Sequence, residues 1–380
     1  MPHIKVKPFD TSIIKEDSSI KFIAKSNFGN DTVLVYKNSK ELFIDIIKKS
    51  KEFLIKPNKV TKGSNIALIK DILEEFIKKY NLDVINSNIN PKPNKPKSAN
   101  EAFKGVEEFY NFKSNFKKIK LEVGFGSARH LLYRAKRESD TLFIGIEIHT
   151  PSINQLLKQI NLQQLNNVWV VNYDARLLLE MLPSNILDTI YVHFPVPWDK
   201  KPHRRVISDF FVNEALRVLK KGSFLELRSD SQNYYEYSLK VFSNIKQSKF
   251  SVSKNIDIEV ISKYEQRWRQ MGKDIYTLSL ESLEESEEKV LDIDFSFNEL
   301  ESINIPSVKK ILEDDFFINF GREYKMDNGF VLECSFGSFN IPEKKMLVVN
   351  GNKCYYLPSN PVKSLVNLKA HKKILEVLNG

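Results

Sequence analysis

Between residues 119 and 242, short β-branched runs alternate with longer stretches whose apolar residues recur at helical spacing. The runs at 119–124, 142–148, 168–173, 190–194 and 224–228 predict strands; the stretches 128–138, 151–165, 175–182, 206–219 and 232–242 predict the helices between them. Strand and helix in turn, joined by short loops, predict an α/β fold with a mostly parallel sheet covered by helices on both faces. Two later runs, 252–262 and 274–280, predict a hairpin closing one edge. The flanks have another rhythm. Residues 20–26 and 31–37 read as strands around a turn at Phe28–Asp31, 42–53 as a helix, and 64–80 as a second helix with Ile66, Ile69, Ile72, Leu73, Phe76 and Ile77 on its apolar face.

Breaks in composition divide the chain. NSNINPKPNKPKSAN, with its closely spaced prolines, has the composition of a linker. After Ser282 an acidic stretch, ESLEESEEKVLDID, leads to β-rich sequence with an Asn-Gly turn and a closing helix at 366–378. Three units are expected: an α+β extension with its linker over 1–95, a central domain over 96–284, and a β-rich extension over 285–380. Residues 351–375 faintly echo 51–73, each with strand, proline and then a helix ending in Ile-Leu.

Composition narrows the classes. With 42% apolar and 28% charged residues, and no apolar run near the ~18 residues that span a bilayer, a cytoplasmic globular protein is expected, with no membrane partner. Cys334 and Cys354 form no CxxC and have no nearby His, so neither a disulfide framework nor a thiolate metal site is expected. The net charge of +10 is uneven: residues 1–100 hold 19 Lys, no Arg and 11 acids, while ten of the eleven Arg and all three Trp lie between 101 and 280. Arg grips phosphate bidentately and stacks on bases, which marks the middle section as the working part. The run TIYVHFPVPWDKKPHRR points the same way: a strand opens through two prolines and Trp198 into a basic cluster, a place for an anionic, stackable partner.

Candidate chemistry gathers at strand ends. Gly124 and Gly126 in LEVGFGSARH allow a tight turn and close approach of a ligand to the backbone. Glu122 precedes them, Glu147 ends the second strand and Asp174 follows the third. A dinucleotide would want a third glycine where Arg129 stands. S-adenosylmethionine, with its ammonium, ribose hydroxyls and adenine amino group, suits three acids at three successive strand ends better.

LEVGFGSARH, GIEIHTPSI, NYDARLLLEMLP, YVHFPVPWDKKPHRR, LRSD and SKYEQRWRQMG, in this order, resemble the bacterial tRNA (guanine-N7)-methyltransferases over roughly residues 110–281. The resemblance implies a class I methyltransferase fold, Rossmann-like, which uses S-adenosylmethionine to methylate N7 of guanosine 46 in the tRNA variable loop. Glu122, Glu147 and Asp174, with the turn at Gly124 and Gly126, would hold the donor. Lys200, Asp230, Ser262, Lys263, Tyr264 and Glu265 would meet the guanosine, and His203, Arg204 and Arg205 would lie against RNA. The chain departs from the pattern at Val196, where the family usually has an Asp at the reacting centre, and in a shorter basic run. Because N7 already carries an in-plane lone pair, no base is needed; Asp230 and Glu265 are the candidate catalytic carboxylates, accepting from guanine N1–H and N2–H. The alternatives are a methyltransferase acting on another substrate, or a non-catalytic RNA-binding protein on the same fold. No obligatory protein partner is implied.

Overall fold

A computed structural model of the chain describes residues 2–14, 17–26, 30–37, 40–61, 66–89, 101–110, 112–200, 202–260, 262–290, 292–298, 303–339 and 342–380. The predicted linker falls largely outside them. The N-terminal segment forms β1 (Ile4–Val6), β2 (Ile20–Ser26), β3 (Asn30–Lys37), β4 (Lys40–Lys48), β5 (Phe53–Pro57), α1 (Ile66–Lys79) and β6 (Val84–Ser87). The middle follows with β7 (Phe103–Lys104), β8 (Lys118–Val123), α2 (Arg129–Arg137), β9 (Thr141–Ile146), α3 (Thr150–Gln163), β10 (Val168–Val171), α4 (Ala175–Met181) and β11 (Leu187–His193). It ends with α5 (Asp209–Val218), β12 (Leu219–Ser229), α6 (Gln232–Ser243), β13 (Lys249–Lys254), α7 (Lys263–Gln270) and β14 (Tyr276–Glu281). The C-terminal segment holds β15 (Lys310–Leu312), β16 (Phe317–Met326), β17 (Gly329–Gly337), β18 (Glu343–Asn350), β19 (Lys353–Leu357) and α8 (Leu365–Asn379).

Two compact units result, one from 96–290 and the other from both ends of the chain together, 1–95 and 291–380. In the middle unit the strand order is β13-β14-β12-β11-β8-β9-β10-β7, with β14 antiparallel to both neighbours and the other pairings parallel. This is the class I methyltransferase architecture. Every residue of β9 is buried, as a parallel strand covered on both faces must be. Local chemistry sets the helix starts: Ser208 and Ser231 cap α5 and α6 by accepting from Phe211 N and Tyr234 N, and Pro151 opens α3. The expected terminal hairpin is interrupted. β13 ends at Lys254, and the chain makes α7 before β14 returns beside β13.

The terminal segments do not form separate units. They share one sheet, β19-β18-β17-β16-β2-β3-β4-β5-β1-β6, joined where β16 runs antiparallel to β2 with Tyr324 opposite Ser26 and Lys325 opposite Lys25. Ala24 and Phe43 from one end are buried with Tyr324, Val331, Met346 and Val348 from the other. Each segment alone leaves a strand edge open, and pairing closes it. The helix expected at 42–53 is instead β4 and the start of β5: Leu42, Ile44 and Ile46 face the α1 side of the sheet while Phe43 is buried on the other. A strand buried on both faces reads as an unbroken apolar run, which periodicity cannot tell from a helix. The faint echo between 51–73 and 351–375 corresponds to equivalent elements. β5 leads through Pro57 into α1 and β19 through Pro358 into α8, with Ile72 and Phe76 in one core and Ile374 and Leu378 in the other.

Candidate active site

β8 pairs in parallel with β9 on one side and β11 on the other. The chain therefore leaves β8 and β11 in opposite directions across the sheet, and a crevice opens beyond their carboxyl ends. The glycine turn, the Phe194–Asp199 loop, Glu147, Asp174 and Asp230 all follow the carboxyl ends of strands in this unit.

In the turn, Gly124, Gly126 and Ala128 have φ of 66°, 51° and 54°. A Cβ on Gly124 would find nothing within 4 Å, so the turn borders open space. Glu147 ties it to the end of β9: Oε2 accepts from Gly126 N at 3.1 Å, and Oε1 from Ile148 N at 2.8 Å and His149 N at 3.0 Å. Asp174 is the N-cap of α4, its Oδ1 accepting from Arg176 N at 2.9 Å, and it also holds the Arg176 guanidinium through both oxygens. A carboxylate offers about four acceptor positions, so each acid keeps capacity for a ligand.

Glu122 departs from expectation. It is buried, and its Oε2 lies 2.7 Å from His130 Nδ1 of α2. His130 packs on the rings of Tyr191 and His193, and His193 Nε2 contacts Glu226 Oε1 at 2.7 Å. This makes a polar layer across β8, β11 and β12, with Tyr191 opposite Glu122 on one side and Glu226 on the other. Burial lowers the His193 pKa, against the raising effect of its Glu226 hydrogen bond. The layer holds the strand ends in place, and nothing in the sequence pattern separated its two histidines from ordinary core residues.

The SKYEQRWRQ segment is α7, and it reaches the glycine turn. A Cβ on Gly126 would stand 3.6 Å from the Tyr264 ring, and Arg129 Nη1 donates to Gln266 Oε1 at 2.9 Å. Ser262 caps the helix by accepting from Glu265 N at 3.0 Å, and the Ser-x-x-Glu spacing that accompanies such caps is present in the sequence. Lys263 and Tyr264 are exposed. Glu265 is not available to a base: it is buried, with Oε1 accepting from Arg228 Nη2 at 2.7 Å and Arg269 Nε at 3.0 Å. Asp230 remains half-buried at the end of β12, with Lys273 Nζ 2.6 Å from its Oδ2.

The loop after β11 divides its basic residues. Arg204 lies 5.1 Å over the exposed ring of Trp198, and Lys200 is exposed. Arg205, expected against RNA, is buried beneath the loop instead: Nε donates to Pro197 O at 2.7 Å, and the guanidinium sits 4.5 Å over the Tyr237 ring. A charge run reads as a solvated surface unless the groups that bury one member are known. The side chain of His203 lies outside the described residues. Val196 is 60% exposed. Among the described residues, no cluster of His, Cys, Asp and Glu could hold a metal, and no helix is long and apolar enough to cross a membrane.

Comparison with known proteins agrees with this geometry. A family model described as a putative methyltransferase matches residues 117–278. A tRNA (guanine-N(7)-)-methyltransferase of Wolinella succinogenes is 38% identical over 353 residues, covering 92% of this chain and 91% of its own length. One from Helicobacter pylori is 36% identical over 396 residues, covering 100% and 99%. The likeness thus extends through both flanks, which the motifs alone had left outside it. The chain belongs to the tRNA (guanine-N(7)-)-methyltransferase family.

Proposed function

We propose that the chain methylates N7 of guanine in tRNA with S-adenosylmethionine, at guanosine 46 of the variable loop, and does so in the cytoplasm. The observation that carries this reading is the meeting of the glycine turn with Tyr264 of α7, beside a loop that exposes Trp198, Lys200 and Arg204. The residues present fit the donor. Open space borders Gly124, and Glu147 and Asp174 keep acceptor capacity for ribose hydroxyls and an adenine amino group. Glu122 supports the same site from below through His130.

Bound there, S-adenosylmethionine supplies an electrophilic methyl on a sulfonium. The protein's part is positioning. N7 needs no deprotonation, so no general base is required, and the site has to hold the base in line and tolerate positive charge on the purine. Asp230 stands at the end of the strand next to β11, where it accepts from Lys273 and can accept from guanine in its place. Trp198 offers a stacking face, Arg204 and Lys200 offer charge to the RNA backbone, and His203 lies between them in the sequence. Transfer of labelled methyl to bulk tRNA followed by nucleoside analysis tests this reading: 7-methylguanosine is expected, while label in another nucleoside, or none, overturns it.

A further inference from the structure

The loop over residues 194–205 contains one acidic side chain, Asp199, and that side chain is 52% exposed. One of its oxygens, Oδ1, lies 3.3 Å from Arg205 Nη2. Arg205 is itself fixed by its bond to Pro197 O at 2.7 Å and by the rings of Tyr237 and Tyr234 at 4.5 and 5.3 Å. A buried guanidinium is costly unless its charge and donors are met. Here they are met by the loop that folds over it. Asp199 is consequently an exposed carboxylate anchored at one oxygen, on a loop leaving the strand beside the glycine turn.

We propose that Asp199 is a catalytic residue, its second oxygen accepting from guanine N1–H or N2–H as N7 is methylated, and that Arg205 is its positioning residue. The inference rests on the guanine-N7 reading above. The N7 lone pair forms the new N–C bond as the methyl–sulfur bond breaks, leaving its electron pair on sulfur; no proton is transferred. The positive charge gained by the purine strengthens N1–H and N2–H as donors, so a fixed carboxylate acceptor is worth more in the transition state than in the ground state. Of the other carboxylates, Glu265 is buried against two arginines, and Asp230 already accepts from Lys273 at 2.6 Å, which guanine would have to displace. Asp199 has a longer contact and the greater exposure of its side chain.

The test is single-turnover methyl transfer with saturating donor and tRNA. Asp199→Asn, which keeps the shape and removes the charge, is expected to lower the rate about a hundredfold, the typical cost of losing one transition-state stabiliser. Donor affinity and the salt dependence of tRNA binding should stay as in the native protein, and any fall in melting temperature from weakening the Arg205 pair is measured alongside the rate. Arg205→Lys should also lower the rate, and the double variant should be no slower than Asp199→Asn alone, because the two residues act as one unit. A native rate in Asp199→Asn overturns the assignment of Asp199, and additive losses in the double variant overturn the role of Arg205. If the native protein itself forms no 7-methylguanosine, the guanine-N7 reading fails and this inference fails with it.

Discussion

The guanidinium of Arg228 on β12 and the carboxylate of Glu265 on α7 meet at 2.7 Å with both side chains only 1% exposed. Through this pair α7 is seated on the sheet, and Tyr264 is held against the glycine turn. Removing one partner of a buried ion pair leaves the other charge stranded, at a cost of about 3–5 kcal/mol. Glu265→Ala should therefore lose about that much unfolding free energy in denaturant titrations, with its loss of activity following from displacement of α7. Inactivity with unchanged stability would instead return Glu265 to direct contact with the guanine.

Asp174 both caps α4 and stands at the third strand end. Asp174→Ala should cost about 1 kcal/mol for the lost cap. It should also weaken donor binding about ten- to a hundredfold, as expected for a lost hydrogen bond to a charged group. Binding of tRNA should hardly change, since the basic loop is a separate surface. Calorimetry with unaltered donor affinity would leave Asp174 as a cap and nothing more.

Adjacent arginines should behave differently in salt titrations. If the exposed Arg204 contacts a phosphate, Arg204→Ala should lower the slope of log affinity against log salt by about 0.7 to 0.9. Arg205 is buried among Pro197, Asp199 and two tyrosines, so Arg205→Lys should leave the slope alone. Equal changes for the two variants would place Arg205 on the RNA after all.

Far from the strand ends, on α4, burial raises the Glu180 carboxyl from 4.5 to about 7; Lys289 opposes the shift, Glu214 adds to it and Arg217 opposes it. A carboxyl whose folded pKa lies above its unfolded value binds more protons in the folded state between the two values. Its stabilising contribution is complete below about 4.5 and is lost as pH rises towards 7, by about 3 kcal/mol at most. The melting temperature should accordingly fall over that window, and Glu180→Gln should flatten the profile. An unchanged profile in the variant would assign the pH dependence to other groups.

The parallel sheet was legible because its strands are short apolar runs that end in Gly, Pro or an acid, and the same ends carry the residues proposed to hold the donor. Helix α7 was not, since Glu265 is its one buried side chain and its apolar stripe is missing; the Ser262 cap with its Ser-x-x-Glu spacing was the available cue. The seam between β2 and β16 joins residues at opposite ends of the chain, and a local pattern holds no information about such pairing. Arg205 was misplaced for a related reason: its burial depends on Tyr234 and Tyr237 of α6, which lie beyond the basic run in the sequence.

Val196 is where chemistry and family pattern part most sharply, and it gives the most direct test. Because N7 needs no proton removed, the native protein should methylate tRNA in a single turnover with saturating tRNA and donor, yielding 7-methylguanosine, and Val196→Asp should alter that rate only modestly. A native protein that binds tRNA but transfers no methyl, and gains activity on Val196→Asp, would contradict the account.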